Sequence, residues 1–169
     1  MPETINTSIV KNYITYRKVR YENKKITIPK VRLGEVKGNN NNFKYGNCQI
    51  ESKYVNDAEL IIEAHKKDVH RYGFKLKAKS ISERPFFRFD ASGSSHDNRS
   101  PLTPLVLRQI STPHFQFYDE LGYNTAYQTE ILKDTNIVDN LRGNINIGIE
   151  IFCQESVTFT NGNGIILIE

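Results

Sequence analysis

At 169 residues, with 38 % hydrophobic and 25 % charged positions and nine Phe and nine Tyr, the chain is the size of one domain and can build a core, which argues against disorder throughout. Its longest apolar run, 165–168, is four residues where a membrane helix needs roughly 20, so no membrane association is expected. The net charge of +4 is unevenly spread, since residues 1–40 hold nine Lys or Arg against three Glu, a net +6 that leaves about −2 for the rest.

The N-terminus lacks a charged segment followed by an apolar core, so no secretory signal is visible and a cytoplasmic location is expected. Residues 1–40 read as a basic arm or edge hairpin of a single domain spanning 1–169. Within it, 12–32 alternates Tyr, Val and Ile with Lys and Arg, two short strands broken at "ENKK". Pro29 places the second at an edge. Such an arm is either a solvated basic surface or a weak, sequence-blind attractor of phosphate.

"GNNNNF" at 38–43 reads as a surface loop. Glu59–Ala64 and Tyr72–Lys79 read as two strands joined by a charged turn, a hairpin. In the second, Phe74, Leu76 and Ala78 alternate with Lys75, Lys77 and Lys79, which lines three ammonium groups along one face. That row is either solvent surface, where Lys deters sheet aggregation, or a track for phosphate. "PFFRFD" at 85–90, "HFQFY" at 114–118 and "NTAYQT" continue an antiparallel meander. "NINIGIEIF" alternates at period two, but Leu141, Ile145, Ile149 and Phe152 also form a helical stripe. Asn-Gly in "VTFTNGNGIILIE" predicts a terminal hairpin. Cys48 and Cys153 are too few for a disulfide framework, and no CxxC suggests zinc or redox chemistry.

Alternation puts His114, Gln116 and Tyr118 on one face of their strand and Phe115 and Phe117 on the other. Arg88 and Asp90 likewise oppose Phe87 and Phe89. With the phenylalanines inward, pairing of the two strands assembles Arg88, Asp90, His114, Gln116 and Tyr118 on an outward polar platform beside the loop "ASGSSHDN", which carries His96 and Asn98. An imidazole, a guanidinium and a phenol are the vocabulary of metal-independent phosphate chemistry. His96 would supply a second acid or base if its loop folds over the platform. The alternative is structural: Asp90, Ser92, Ser94, Asp97 and Asn98 are turn residues, and His114 can simply hydrogen-bond a neighbouring loop. Neither an i,i+4 pair nor CxxC supports a metal among His96, His114, Asp97 and Asp119. The sequence also lacks a phosphate-binding loop, a dinucleotide fingerprint and a G-x-S-x-G elbow. No metal and no cofactor are expected.

"FRFDASGSSHDN" and "TPHFQFYDELGYNTAY" resemble an uncharacterised family of small bacterial and phage proteins marked by Arg-x-Asp, G-x-x-H-x-N and P-H-x-H-x-Y. Arg88, Asp90, Gly93, His96, Asn98, Pro113, His114 and Tyr118 fall on the pattern, and the resemblance covers about residues 72–157. It implies that "IGIEIFCQESV" is a C-terminal helix, and it points to a phage, mobile-element or defence-related setting. Two departures stand out. Gln116 replaces the second histidine and cannot become imidazolium, and "RSPLTPLVLRQIS" at 99–111 replaces a short polar loop with an apolar one.

The expected fold is α+β: an antiparallel sheet of about five or six strands, one C-terminal helix and a final β-hairpin. The leading functional expectation is a protein that binds or processes RNA, another single-stranded nucleic acid or a nucleotide. In it Arg88 grips phosphate, His114 and His96 exchange protons, and Tyr118, Gln116, Asp90, Asn98, Lys75, Lys77 and Lys79 hold substrate. The rival is a non-enzymatic module, an inhibitor or antitoxin-like protein, that docks a protein partner through the apolar loop 101–107 or the C-terminal hairpin.

Overall fold

The computed structural model describes residues 34, 42–49, 56–80, 82–119 and 121–156. The strands expected within 12–32 and the terminal hairpin at 157–169 lie outside the described residues, as does all of the basic arm except Gly34. Among the described residues the fold is α+β, with a six-stranded antiparallel sheet of order β1-β2-β3-β4-β7-β8. Its strands are β1 (Phe43–Gln49), β2 (Glu59–His65), β3 (Tyr72–Lys77), β4 (Phe87–Asp90), β7 (His114–Tyr118) and β8 (Asn124–Tyr127). The chain between β4 and β7 adds a small two-stranded ribbon, β5 (His96–Asp97) with β6 (Gln109–Ile110).

The hairpin of β2 and β3 forms as its alternation predicts, with Leu60 opposite Leu76 and Ile62 opposite Phe74. Its second strand ends at Lys77 rather than Lys79. Between the strands, the His65 ring accepts the Asp68 backbone N–H at 3.1 Å and Asp68 accepts that of His70 at 3.0 Å, so polar side chains close the charged turn. β1 was not legible: Phe43, expected as the end of a loop, opens a strand paired along all seven residues of β2. Gly46 and Asn47 give it weak strand propensity, and pairing supplies what propensity lacks.

Helices α1 (Glu130–Lys133), α2 (Thr135–Leu141) and α3 (Ile145–Ser156) follow β8. The expectation of one C-terminal helix holds for α3; the two short helices before it are additional. α3 resolves the double periodicity of "NINIGIEIF" as helix. The Asn144 carboxamide oxygen accepts the Asn146 and Ile147 backbone N–H groups at 3.2 and 3.3 Å, an N-terminal cap. Ile149 and Phe152 are then fully buried against the sheet.

The core lies between that helix and the face of the sheet carrying Leu60, Ile62, Phe74, Leu76, Phe87, Phe89 and Phe115. The Phe152 ring meets those of Phe74 and Phe87, both at 5.5 Å between centroids. Each such side chain contributes about 1.5–3 kcal/mol by leaving water. Tyr72 locks the helical layer by donating to the Leu141 carbonyl at 2.7 Å. Gly148 makes this possible, because a Cβ there would stand 2.5 Å from the Tyr72 hydroxyl. Burial raises the Tyr72 phenol well above its ordinary pKa, so it remains a donor. The Cys153 thiol is buried too and pushed up to about 12, which makes it an inert packing group.

Candidate functional site

The opposite face of the sheet is polar, and register assembles it. Arg88 of β4 pairs with Gln116 of β7, and Asp90 pairs with His114. On the other side of β4, Lys75 lies opposite Arg88 and Gly73 opposite Asp90. Gly73 clears room for the acid, since a Cβ there would come within 3.3 Å of Asp90 Oδ1 and 2.8 Å of the Phe89 carbonyl oxygen.

These groups form one continuous hydrogen-bonded chain. Arg88 donates through Nε and Nη2 to Asp90 Oδ1, both at 2.8 Å. Gln116 Nε2 donates to Asp90 Oδ2 and, at 3.0 Å, meets His114 Nε2. His114 Nδ1 lies 3.2 Å from the Ser111 carbonyl oxygen. A carbonyl only accepts, so Nδ1 carries a proton, while Nε2 faces both the Gln116 amide and, at 3.6 Å, Asp90 Oδ2. Gln116 Oε1 accepts from Asn124 Nδ2 at 3.1 Å. Burial pushes the Asp90 carboxyl up, but His114 and the Arg88 guanidinium outweigh it and hold the pKa below the ordinary carboxylate value. Asp90 is therefore a carboxylate under all ordinary conditions.

The expectation of polar groups facing outward needs correction. They do lie opposite the phenylalanines, yet His114 is 1 % exposed and Gln116 7 %. Ser111 and His96 from the chain between β4 and β7 close over them, with the His96 and His114 ring centroids 5.9 Å apart. His114, its polar atoms all engaged, is better placed to hold its neighbours than to meet a substrate.

His96 and Asn98 have a local task that spacing alone did not reveal. β8 is the outer strand of the sheet, and unpaired edge groups need partners. Asn98 supplies them to Ala126: its Oδ1 accepts the Ala126 backbone N–H at 2.6 Å while its Nδ2 donates to the Ala126 carbonyl at 2.8 Å. A second amide hydrogen goes to the Leu107 carbonyl, also at 2.8 Å. The carboxamide imitates a strand backbone, and both its hydrogens and its oxygen are spent on structure. His96 Nε2 lies 3.2 Å from the Asn124 carbonyl on the same edge. Its Nδ1 has no hydrogen-bond partner among the described residues. Burial holds the His96 pKa below the usual imidazole value, aided by His114 and opposed by the Asn124 carbonyl, Asp90 and Asp97. His96 is thus half-buried, neutral at neutral pH and equipped with a lone pair.

At the Tyr118 end of the face is a cleft of about 160 Å³ lined by Arg84, Arg88, Gln116, Tyr118 and Asn124, with Phe86 and Phe117 among its walls. The Arg88 side chain is 42 % exposed there. Arg84 and Asn124 were missed from the sequence: Arg84 precedes β4, where alternation has no bearing, and Asn124 opens a strand beside a turn. The three lysines have different surroundings. Lys75 is ion-paired with Glu63, Lys77 stands opposite Glu59, and Lys79 lies exposed beyond the strand.

Among the described residues, no three His, Cys, Asp or Glu side chains are grouped to hold a metal, and no helix is long and apolar enough to cross a membrane. No protein-family model, curated protein or solved structure matches the chain.

Proposed function

We propose that this protein binds a phosphate-bearing ligand, single-stranded RNA or a nucleotide, at the arginine-lined cleft on the polar face. The observation that carries the reading is the state of Arg88. Asp90 takes its Nε and Nη2 on a single oxygen, so the guanidinium is aimed and immobilised while its remaining edge borders the cleft. A fixed guanidinium loses less entropy on gripping a phosphate than a free one and keeps its planar, two-pronged geometry. Arg84 brings a second cation and Tyr118 a ring for stacking against a base. His96, next to Asn124 on the cleft wall, is the group suited to proton transfer, whereas the buried His114 positions its neighbours.

The test uses labelled single-stranded RNA with wild type, Arg84→Gln and Arg88→Gln, titrated between about 50 and 200 mM salt. Arg84→Gln leaves the Asp90 network intact and guards against a folding artefact in the second variant. Each variant is expected to weaken binding and to flatten the slope of log affinity against log salt by about 0.7. Any strand cleavage should vanish in His96→Gln. Unchanged slopes in both variants would move the binding to basic residues elsewhere, and an absence of binding would discard the reading.

A further inference from the structure

The cleft beside Arg88 is small for a whole nucleic-acid segment. Its volume of about 160 Å³ is half the lower end of the roughly 300–1,000 Å³ found for pockets that enclose a complete small ligand. At about 30 Å³ per water it has room for about five waters. That space suits the head of a ligand, a tetrahedral phosphate with part of its sugar, and not two successive nucleotides of a strand.

Positive charge is concentrated there too. The lining holds two guanidiniums, Arg84 and Arg88, and no carboxylate. Asp90, which fixes Arg88, stands outside that lining. Gln116 has little left to offer an anion, because its Nε2 is spent on Asp90 and its Oε1 on Asn124. Across the sheet from Arg88 the next cation is Lys75, already paired with Glu63. The burden of meeting a ligand's charge therefore falls on the two arginines. An internal phosphodiester brings one negative charge, whereas a phosphate monoester brings about −1.5 to −2 at pH 7 and three free oxygens, enough for two planar guanidinium forks at once.

We propose that the occupant of this cleft is a phosphate monoester, the phosphorylated end of an RNA chain or a nucleoside monophosphate. Both guanidiniums grip the terminal phosphate, the Tyr118 ring lies toward the first base, and the remainder of a longer chain stays outside. The inference rests on the reading of the cleft as a phosphate site and adds which phosphate it takes.

The test compares RNAs of one sequence ending in a 5′-phosphate, a 3′-phosphate or hydroxyls, each labelled at the opposite end. The hydroxyl-ended RNA is one nucleotide longer, so that all carry the same number of phosphates. One of the two phosphorylated ends should bind about tenfold more tightly than the hydroxyl-ended RNA. The matching nucleoside monophosphate should compete for the site where the nucleoside does not. Its affinity names the source: equal to that of the phosphorylated RNA for a free nucleotide, weaker for an RNA end. Arg84→Gln, which leaves the Asp90 network intact, should bring the phosphorylated RNA down to the level of the hydroxyl-ended one. Equal affinity for phosphorylated and hydroxyl ends, with binding still weakened in Arg84→Gln, would overturn the inference and leave the cleft as a site for internal phosphates. A preference that survives Arg84→Gln would overturn it by placing the phosphorylated end elsewhere. Binding of no RNA and no monophosphate would discard the phosphate reading and this inference together.

Discussion

His114 shows how far a residue's chemistry depends on its exposure. An imidazole beside a carboxylate and an arginine has the composition of a catalytic group, yet its ring is sealed between Ser111 and Gln116. His114→Ala should therefore lower stability by about 2 kcal/mol or more, because it removes one partner of the Gln116 amide and leaves a void. Urea unfolding checks this, and a loss near zero would return His114 to the list of functional candidates. pH tells a related story. Asp90 has a folded pKa below its unfolded value of about 3.9, so its contribution is present above that pH and is lost as pH falls through the folded value. His96 is also depressed, so the unfolded chain takes its proton first; stability is full above about pH 6.5 and declines as pH drops through the folded pKa. The urea midpoint should fall as pH drops below about 6.5 in wild type, and less so in His96→Gln.

At the scale of elements, the ribbon between β4 and β7 matters most. It covers the polar network with one flank and completes the edge of β8 with the other. Asn98→Ala would leave the Ala126 N–H and carbonyl without partners at a buried position, costing about 2–4 kcal/mol. The clearest signature is local: hydrogen exchange at the Ala126 amide should accelerate beyond what global destabilisation explains. Exchange that rises uniformly across the sheet would show that Asn98 acts only through overall stability. The same ribbon explains the spacing in G-x-x-H-x-N. In an extended segment residues 96 and 98 project on the same side, and here both reach the backbone of one neighbouring strand.

For the molecule as a whole, the two faces of the sheet have different work. One carries the phenylalanine core under α3, and the other holds the charged network. Alternation within "FRFD" and "HFQFY" was enough to sort their residues between these faces, since a strand's side chains have period two and a one-residue slip would bury Arg88 and Asp90 in the core. The strands of this sheet from β2 onward also pair in chain order as a meander does, although the connection 91–113 between β4 and β7 is long. The helix at 145–156 was legible only as one of two periodicities, and β1 was hidden behind a run of asparagines.

The sequence by itself determined the antiparallel strands, the inward phenylalanines and the set of polar residues that share a face, because all three depend on local periodicity and chain connectivity, whereas periodicity left the helix of the α+β fold as one of two readings. Only the tertiary structure decided which of those polar residues meet solvent. Burial of His114 and Gln116 and the spending of Asn98 on a strand edge arise from how the ribbon folds over the sheet, while the pairing of Lys75 with Glu63 and the cleft that joins Arg84 to Arg88 arise from packing between strands and their flanking chain. Such contacts join residues distant along the chain, and no local pattern encodes them.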